Sequence, residues 1–150
     1  MWSPDGPTHD ISSWGLGKVS LERDLEAAAQ SLGRSYSTDP NLEAGLFYRA
    51  DHFAFAQAGV PAITVGPGMD QLDGGVDGGM AARAEYFAER YHQPGDEFGD
   101  WWDMRGPTAD TEVVLRLVRG LAESEAWPAW DEDSEFRAAR EASAGERAAR

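Results

Sequence analysis

Asp51-His52-Phe53-Ala54-Phe55-Ala56-Gln57-Ala58-Gly59-Val60-Pro61-Ala62-Ile63-Thr64-Val65 holds two kinds of local order in one short stretch. Over residues 50–58 the apolar side chains recur at helical spacing, and Gly59 supplies the left-handed residue that commonly ends a helix. Residues 61–65 then make a short apolar run with β-branched Ile63, Thr64 and Val65, which suits a strand buried in a sheet. Pro61 can begin such a strand but could not stand in its middle. A helix that hands the chain straight to a buried strand is the repeating unit of layered α/β folds.

The same alternation extends in both directions. Upstream, Gly6-Pro7-Thr8 signals a turn, and residues 10–14 alternate polar and apolar side chains as a strand does, ending at Gly15-Leu16-Gly17. Ser20 is placed to cap the next helix, in which Leu21, Leu25, Ala28, Ala29 and Leu32 form the inner face while Glu22, Arg23 and Glu26 point to water. Gly33 closes that helix, and residues 35–38 suggest another brief strand.

Downstream, residues 66–90 contain Gly74-Gly75 and Gly78-Gly79 and read as a long irregular loop, expected to border a pocket because long loops in compact domains are usually functional. A helix over about residues 108–123 carries Val113, Val114, Leu117, Val118 and Leu121 as one apolar stripe. Residues 134–150 form a peripheral helical tail with a thin apolar face. The predicted fold is therefore α/β, a layered sandwich with a central, mostly parallel or mixed sheet flanked by helices. No repeat or linker divides residues 1–150, so they are taken as a single domain.

Composition narrows the chemistry. The chain has 27 acidic residues against 13 Lys and Arg, a formal charge of −14, which disfavours nucleic acid or any other polyanionic partner. Cys is absent, so a metal would have to be held by His and carboxylates. No run of about eighteen apolar residues offers a membrane span, and the first residues lack the basic and then apolar pattern of a signal peptide.

Three histidines remain: His9, beside a turn and given no role, His52 and His92. His92 is followed by Gln93-Pro94-Gly95, a turn that holds the imidazole at the edge of an element, where ligands are commonly presented. Asp96, four residues on, is placed to orient that ring or to cap the turn.

The stretch from Phe47-Tyr48-Arg49-Ala50-Asp51-His52-Phe53 through Gly59-Val60-Pro61-Ala62, followed by Tyr91-His92-Gln93-Pro94-Gly95-Asp96-Glu97, is similar to the metallopeptidase family that includes aminopeptidase S, aminopeptidase Y and glutamate carboxypeptidase II. There the pattern runs Ser-Asp-His-x-x-Phe-x-x-x-Gly-(Ile/Val)-Pro-Ala, then Tyr-His-x-x-x-Asp. This chain departs from it with Ala50 in place of Ser. Residues 6–11, Gly15-Leu16-Gly17 and the tail from Trp127-Pro128 to Phe136-Arg137 resemble further, weaker family motifs.

The resemblance implies a zinc-dependent exopeptidase, an aminopeptidase in the first instance, hydrolysing peptide bonds with metal-activated water. His92 would be a terminal zinc ligand, and the hydroxyl of Tyr91 would steady the oxyanion. Asp51 and His52 would brace the site at the start of a helix, a plain N-cap being the other reading of Asp51. The family holds two zinc ions with a His-x-Asp pair and an adjacent Glu-Glu pair among its residues, and neither pair occurs in this sequence.

The chain therefore resembles the C-terminal half of the family's domain, with an N-terminal half or a partner chain supplying the other ligands. Alone it is expected to hold zinc poorly and to leave peptides intact. The alternative is a non-catalytic, peptidase-like binding module. Family members are commonly exported, and the compartment of this chain stays open. Asp51 and His92 are expected to meet at one sheet edge.

Overall fold

A computed structural model describes residues 5–14, 18–39 and 42–148. The turn expected at 15–17 and the last two residues of the tail lie outside the described residues. Strand β1 (Asp10–Trp14) leads to helix α1 (Ser20–Gln30) and strand β2 (Ser35–Thr38). Two short helices follow, α2 (Leu46–Arg49) and α3 (Phe53–Gln57), before strand β3 (Thr64–Pro67). Helices α4 (Gly75–Glu89), α5 (Arg105–Glu123), α6 (Arg137–Ala142) and α7 (Ala144–Ala148) complete the order.

The sheet is mixed, in the order β2-β1-β3. β1 and β2 run parallel because α1 carries the chain back between them, and Ile11 stands opposite Tyr36. β3 lies antiparallel on the other side of β1, with Ser13 opposite Val65. This is the expected α/β architecture of a sheet flanked by helices. The run 61–65 is shifted as a strand, since pairing begins only at Thr64. The helix expected over 50–58 is shorter too, because residues 50–52 turn before Phe53 begins α3.

One face of the sheet meets α1 and α5 in a cluster of Ile11, Leu25, Ala28, Ala29, Val113 and Leu117. A second cluster joins Val19, Leu21, Phe47 and Ala56 to Trp130 and Phe136 from the tail, and Ile63 and Leu121 touch both. Each fully buried Leu, Ile or Val contributes about 1.5–3 kcal/mol. The stripe on α5 is narrower than its sequence suggests, for Val118 is 53% exposed while Val113 and Leu117 are buried.

Every residue of β1 is buried, the polar ones included. Each of those polar side chains has a partner outside the strand, which is what makes its burial tolerable. Asp10 accepts the backbone N–H groups of Met69 and Asp70 and the hydroxyl of Ser37. Ser12 donates to the Pro67 carbonyl at 2.7 Å, and Ser13 donates to Glu22 at 3.1 Å.

Glu22 therefore does not point to water. It is 6% exposed and also accepts from the Tyr36 hydroxyl, whose pKa burial pushes up to about 12. Ser20 does not cap α1 either. The N-cap residue is Val19, and the Ser20 hydroxyl instead accepts the backbone N–H of Ala129 at 3.1 Å, because the tail runs beside the start of the helix.

The largest departure is at residues 66–90, where most of the expected loop is helix α4. It carries no apolar stripe, and its buried residue is Gly79. A Cβ at Gly79 would stand 2.9 Å from the Met69 carbonyl carbon, so glycine is what lets the helix lie against the turn after β3. Residues 80–89, with four Ala and two Glu, supply the helix propensity that the glycines obscure.

Candidate active site

α4 ends at Glu89, and the chain then turns sharply. His92 has φ +60°, the only non-glycine with positive φ among the described residues, and its side chain is exposed. His belongs to the residue types that adopt this conformation more readily than most, and strain of this kind collects at functional positions. Its ring stacks on Tyr91 with centroids 3.8 Å apart and planes 23° from parallel. Tyr91 in turn packs on Phe87 at 4.7 Å and Tyr86 at 5.9 Å, so the last turns of α4 hold the Tyr91-His92 pair in place.

Asp96 takes its place in this group through Tyr86, whose hydroxyl donates to both carboxylate oxygens at 3.1 and 3.2 Å. Burial, with that hydrogen bond adding, pushes the Tyr86 hydroxyl up to about 12. The turn that Asp96 ends is closed by the backbone, with the Asp96 N–H donating to Gln93.

Asp51 and His52 lie where α2 gives way to α3. Asp51 is exposed, and the N-cap of α3 is His52, so the N-cap reading of Asp51 is not the one adopted. His52 shares a 2.7 Å hydrogen bond between Nδ1 and the Thr64 hydroxyl on β3, and its ring meets Phe47 edge-on at 4.5 Å. Burial holds the imidazole below its ordinary pKa, against the opposing pull of Asp51. Nε2 is buried without a partner among the described residues, so His52 braces a strand to a helix.

Among the described residues, no hydrogen bond or ring contact joins the Asp51 and His52 group to the Tyr91, His92 and Asp96 group.

Tyr86 and Phe87, on which Tyr91 packs, also line a narrow cleft that the sequence did not reveal and that Asp5 borders as well. Its walls include Trp14 of β1, Met69 and Gln71 after β3, and Arg83, Tyr86 and Phe87 of α4. The signal for it was the spacing Arg83-x-x-x-Phe87, which lays two side chains along one face of α4. The segment expected to border a pocket does so, as a helix.

A zinc site needs three or four protein ligands within reach of one another. The described residues include no group of three or more His, Asp or Glu placed to hold a metal, and His52 is committed to Thr64. His92 is exposed.

The sequence profile described as peptidase family M28 matches residues 1–118. The chain belongs to that family of metallopeptidases. Comparison with curated proteins and with solved structures gave no match. No helix among the described residues is long and apolar enough to cross a membrane.

Proposed function

We propose that this chain is a C-terminal segment of a zinc-dependent exopeptidase domain, acting on peptides as an aminopeptidase, with its remaining metal ligands and its general base supplied by an N-terminal half or a partner chain. The observation that carries the reading is the geometry at residue 92. An exposed imidazole on a strained turn, stacked on the tyrosine before it, is a poor device for packing and a good one for presenting a ligand nitrogen. In this reading His92 is the chain's metal ligand, Tyr91 presents its hydroxyl to the reacting carbonyl, and Tyr86 and Asp96 fix the turn that carries both.

His52, and with it Asp51, supports the site from a distance by pinning α3 to β3 through Thr64. The test is hydrolysis of aminoacyl anilides with added zinc by this chain, by a version extended upstream in the same frame, and by the extended His92→Ala variant. Activity is expected in the extended protein alone. Full activity in the extended His92→Ala variant would remove His92 from the site.

A second reading is a peptidase-like binding module without catalysis. It is favoured by the lack of a three-ligand group among the described residues. An extended protein that binds peptides yet neither takes up zinc nor turns over the anilides would establish it.

A further inference from the structure

Ser20 on α1 accepts the backbone N–H of Ala129, which follows α5, while Arg34, just past α1, is bonded to Asp110 near the start of α5. The two helices therefore run antiparallel. Between them and residues 124–129 lies an open groove of about 530 Å³, a size at which pockets take up ligands. Its walls are largely small side chains, among them Ala27, Ala28 and Ser31 of α1 and Gly120 of α5. A Cβ at Gly120 would meet nothing within 4 Å, so open space stands over that residue.

At the end of the groove where α5 finishes stands Trp127, 84% exposed and the most exposed large apolar side chain among the described residues. Its segment is held on both sides. The Ala126 N–H donates to the Ser124 hydroxyl before it, and after Pro128, whose ring fixes φ, Ala129 is tied to Ser20 through backbone and side chain. A fixed indole beside a hollow of small side chains is a knob and a socket on one surface, and Trp is among the residues that most often dominate an interface.

The charges around the groove select its occupant. Among the described residues that line it, Asp24 is the one carboxylate and Arg116 the one cation, and Glu125 does not line it. Neither Asp24 nor Arg116 has an ion pair among the described residues, whereas the neighbouring Arg23 and Arg119 are paired with Asp131 and Glu123. A groove of no net charge in a chain of charge −14 is poorly matched to a cationic partner and well matched to itself. With Arg34 opposite Asp110, Asp24 lies level with Gly120 and Arg116 with Ala28, four residues or ~6 Å apart along the helices. A two-fold axis crossing the line between the two side chains at its midpoint sets each against its opposite in a second copy, and such a contact closes on itself.

We propose that this groove is the interface of a two-fold symmetric dimer, in which Trp127 of each copy enters the other's groove over Gly120 and Asp24 pairs with Arg116 of the other copy. The proposal is independent of the reading of His92, since α1, α5 and residues 124–129 build the groove.

The experiment is sedimentation velocity on the 150-residue chain in about 0.15 M salt, where a Debye length of ~8 Å limits the repulsion between two chains of charge −14. A concentration-dependent dimer is expected. Trp127→Ala should weaken it at least about thirtyfold, the loss that marks an interface hot spot. The thermal melt of the dilute, monomeric protein should change little, because the side chain removed is exposed. Gly120→Leu should block association by filling the socket while the fold stays intact. Asp24→Arg sets Arg against Arg at both contacts and should weaken association at least about tenfold, and adding Arg116→Asp should recover it.

A chain that stays monomeric up to about 1 mM would overturn the proposal. So would a dimer indifferent to Trp127→Ala, or a double charge swap that fails to restore association. A monomeric chain that binds a basic amphipathic peptide through Trp127 would give the groove to a cationic partner, and a version extended upstream that no longer associates would give it to the preceding residues; either result also overturns the dimer.

Discussion

Gly79 and Gly120 invite the same substitution with opposite results. Both sit inside helices, where replacing glycine by alanine gains about 1 kcal/mol from backbone entropy alone. At Gly120 a Cβ meets nothing within 4 Å, so the whole gain should appear. At Gly79 the new Cβ would overlap the Met69 carbonyl oxygen and stand 2.9 and 3.2 Å from the carbonyl carbon and Cα of the same residue.

Those atoms are backbone of the turn that Asp10 holds through two N–H groups, so the turn cannot yield cheaply. Forcing a methyl into such a contact costs typically ~1–3 kcal/mol. Gly79→Ala should thus be neutral to destabilising by about 2 kcal/mol, and the two variants should differ by about 1–3 kcal/mol. With ~2–4 °C of Tm per kcal/mol for a chain of this size, thermal unfolding followed by circular dichroism resolves the difference. A Gly79→Ala variant that melts as high as Gly120→Ala would refute the close packing of α4 on the turn after β3.

Three further outcomes are expected. Asp110→Ala should cost about 3–5 kcal/mol in urea unfolding, because it removes the carboxylate bonded at 2.7 Å to Arg34, whose side chain is 11% exposed, and leaves it only the neutral Thr8 hydroxyl and Asp10 carbonyl; a loss below about 1 kcal/mol would show that those two acceptors suffice. His92→Gly should be more stable than His92→Ala by about 1 kcal/mol, as glycine relieves the positive φ, and equal stabilities would mean that the turn relaxes. The folded pKa of His52 lies below its ordinary value of 6.5, so its share of stability is present above pH 6.5 and is lost as the pH falls towards the folded value. Stability measured between pH 7 and 5 should fall more steeply in the natural chain than in His52→Gln, and parallel profiles would show that the ring is not held neutral.

The elements with a strong local signal were legible: α1 from the spacing of Leu21, Leu25, Ala28 and Ala29, its end from Gly33, and the strand positions of residues 10–14 and 35–38. What escaped was set by partners distant in sequence. Glu22 looks solvent-facing until Ser13 and Tyr36 are brought to it from two strands, and Ser20 looks like a cap until the tail's Ala129 claims its hydroxyl. α4 was hidden in part because Gly79 serves a close approach to Met69 that no local pattern announces. The Tyr91-His92 pair stands out in the sequence as a candidate through its motif, whereas placing Arg83 in a cleft wall required knowing that residues 80–89 are helical.

The match to peptidase family M28 ends at residue 118, and the protein's folding unit does not. Trp130 and Phe136 are 7% and 6% exposed, and the indole N–H of Trp130 donates to the carbonyl of Gly59, the residue that ends α3. Asp131 reaches back to Arg23 with both carboxylate oxygens, and the backbone at Trp130 bridges to Val19. A gene trimmed to the homologous region would expose Phe47, Val19 and Ala56 to solvent and yield a sticky, half-closed product, so the boundary suited to expression lies beyond Phe136.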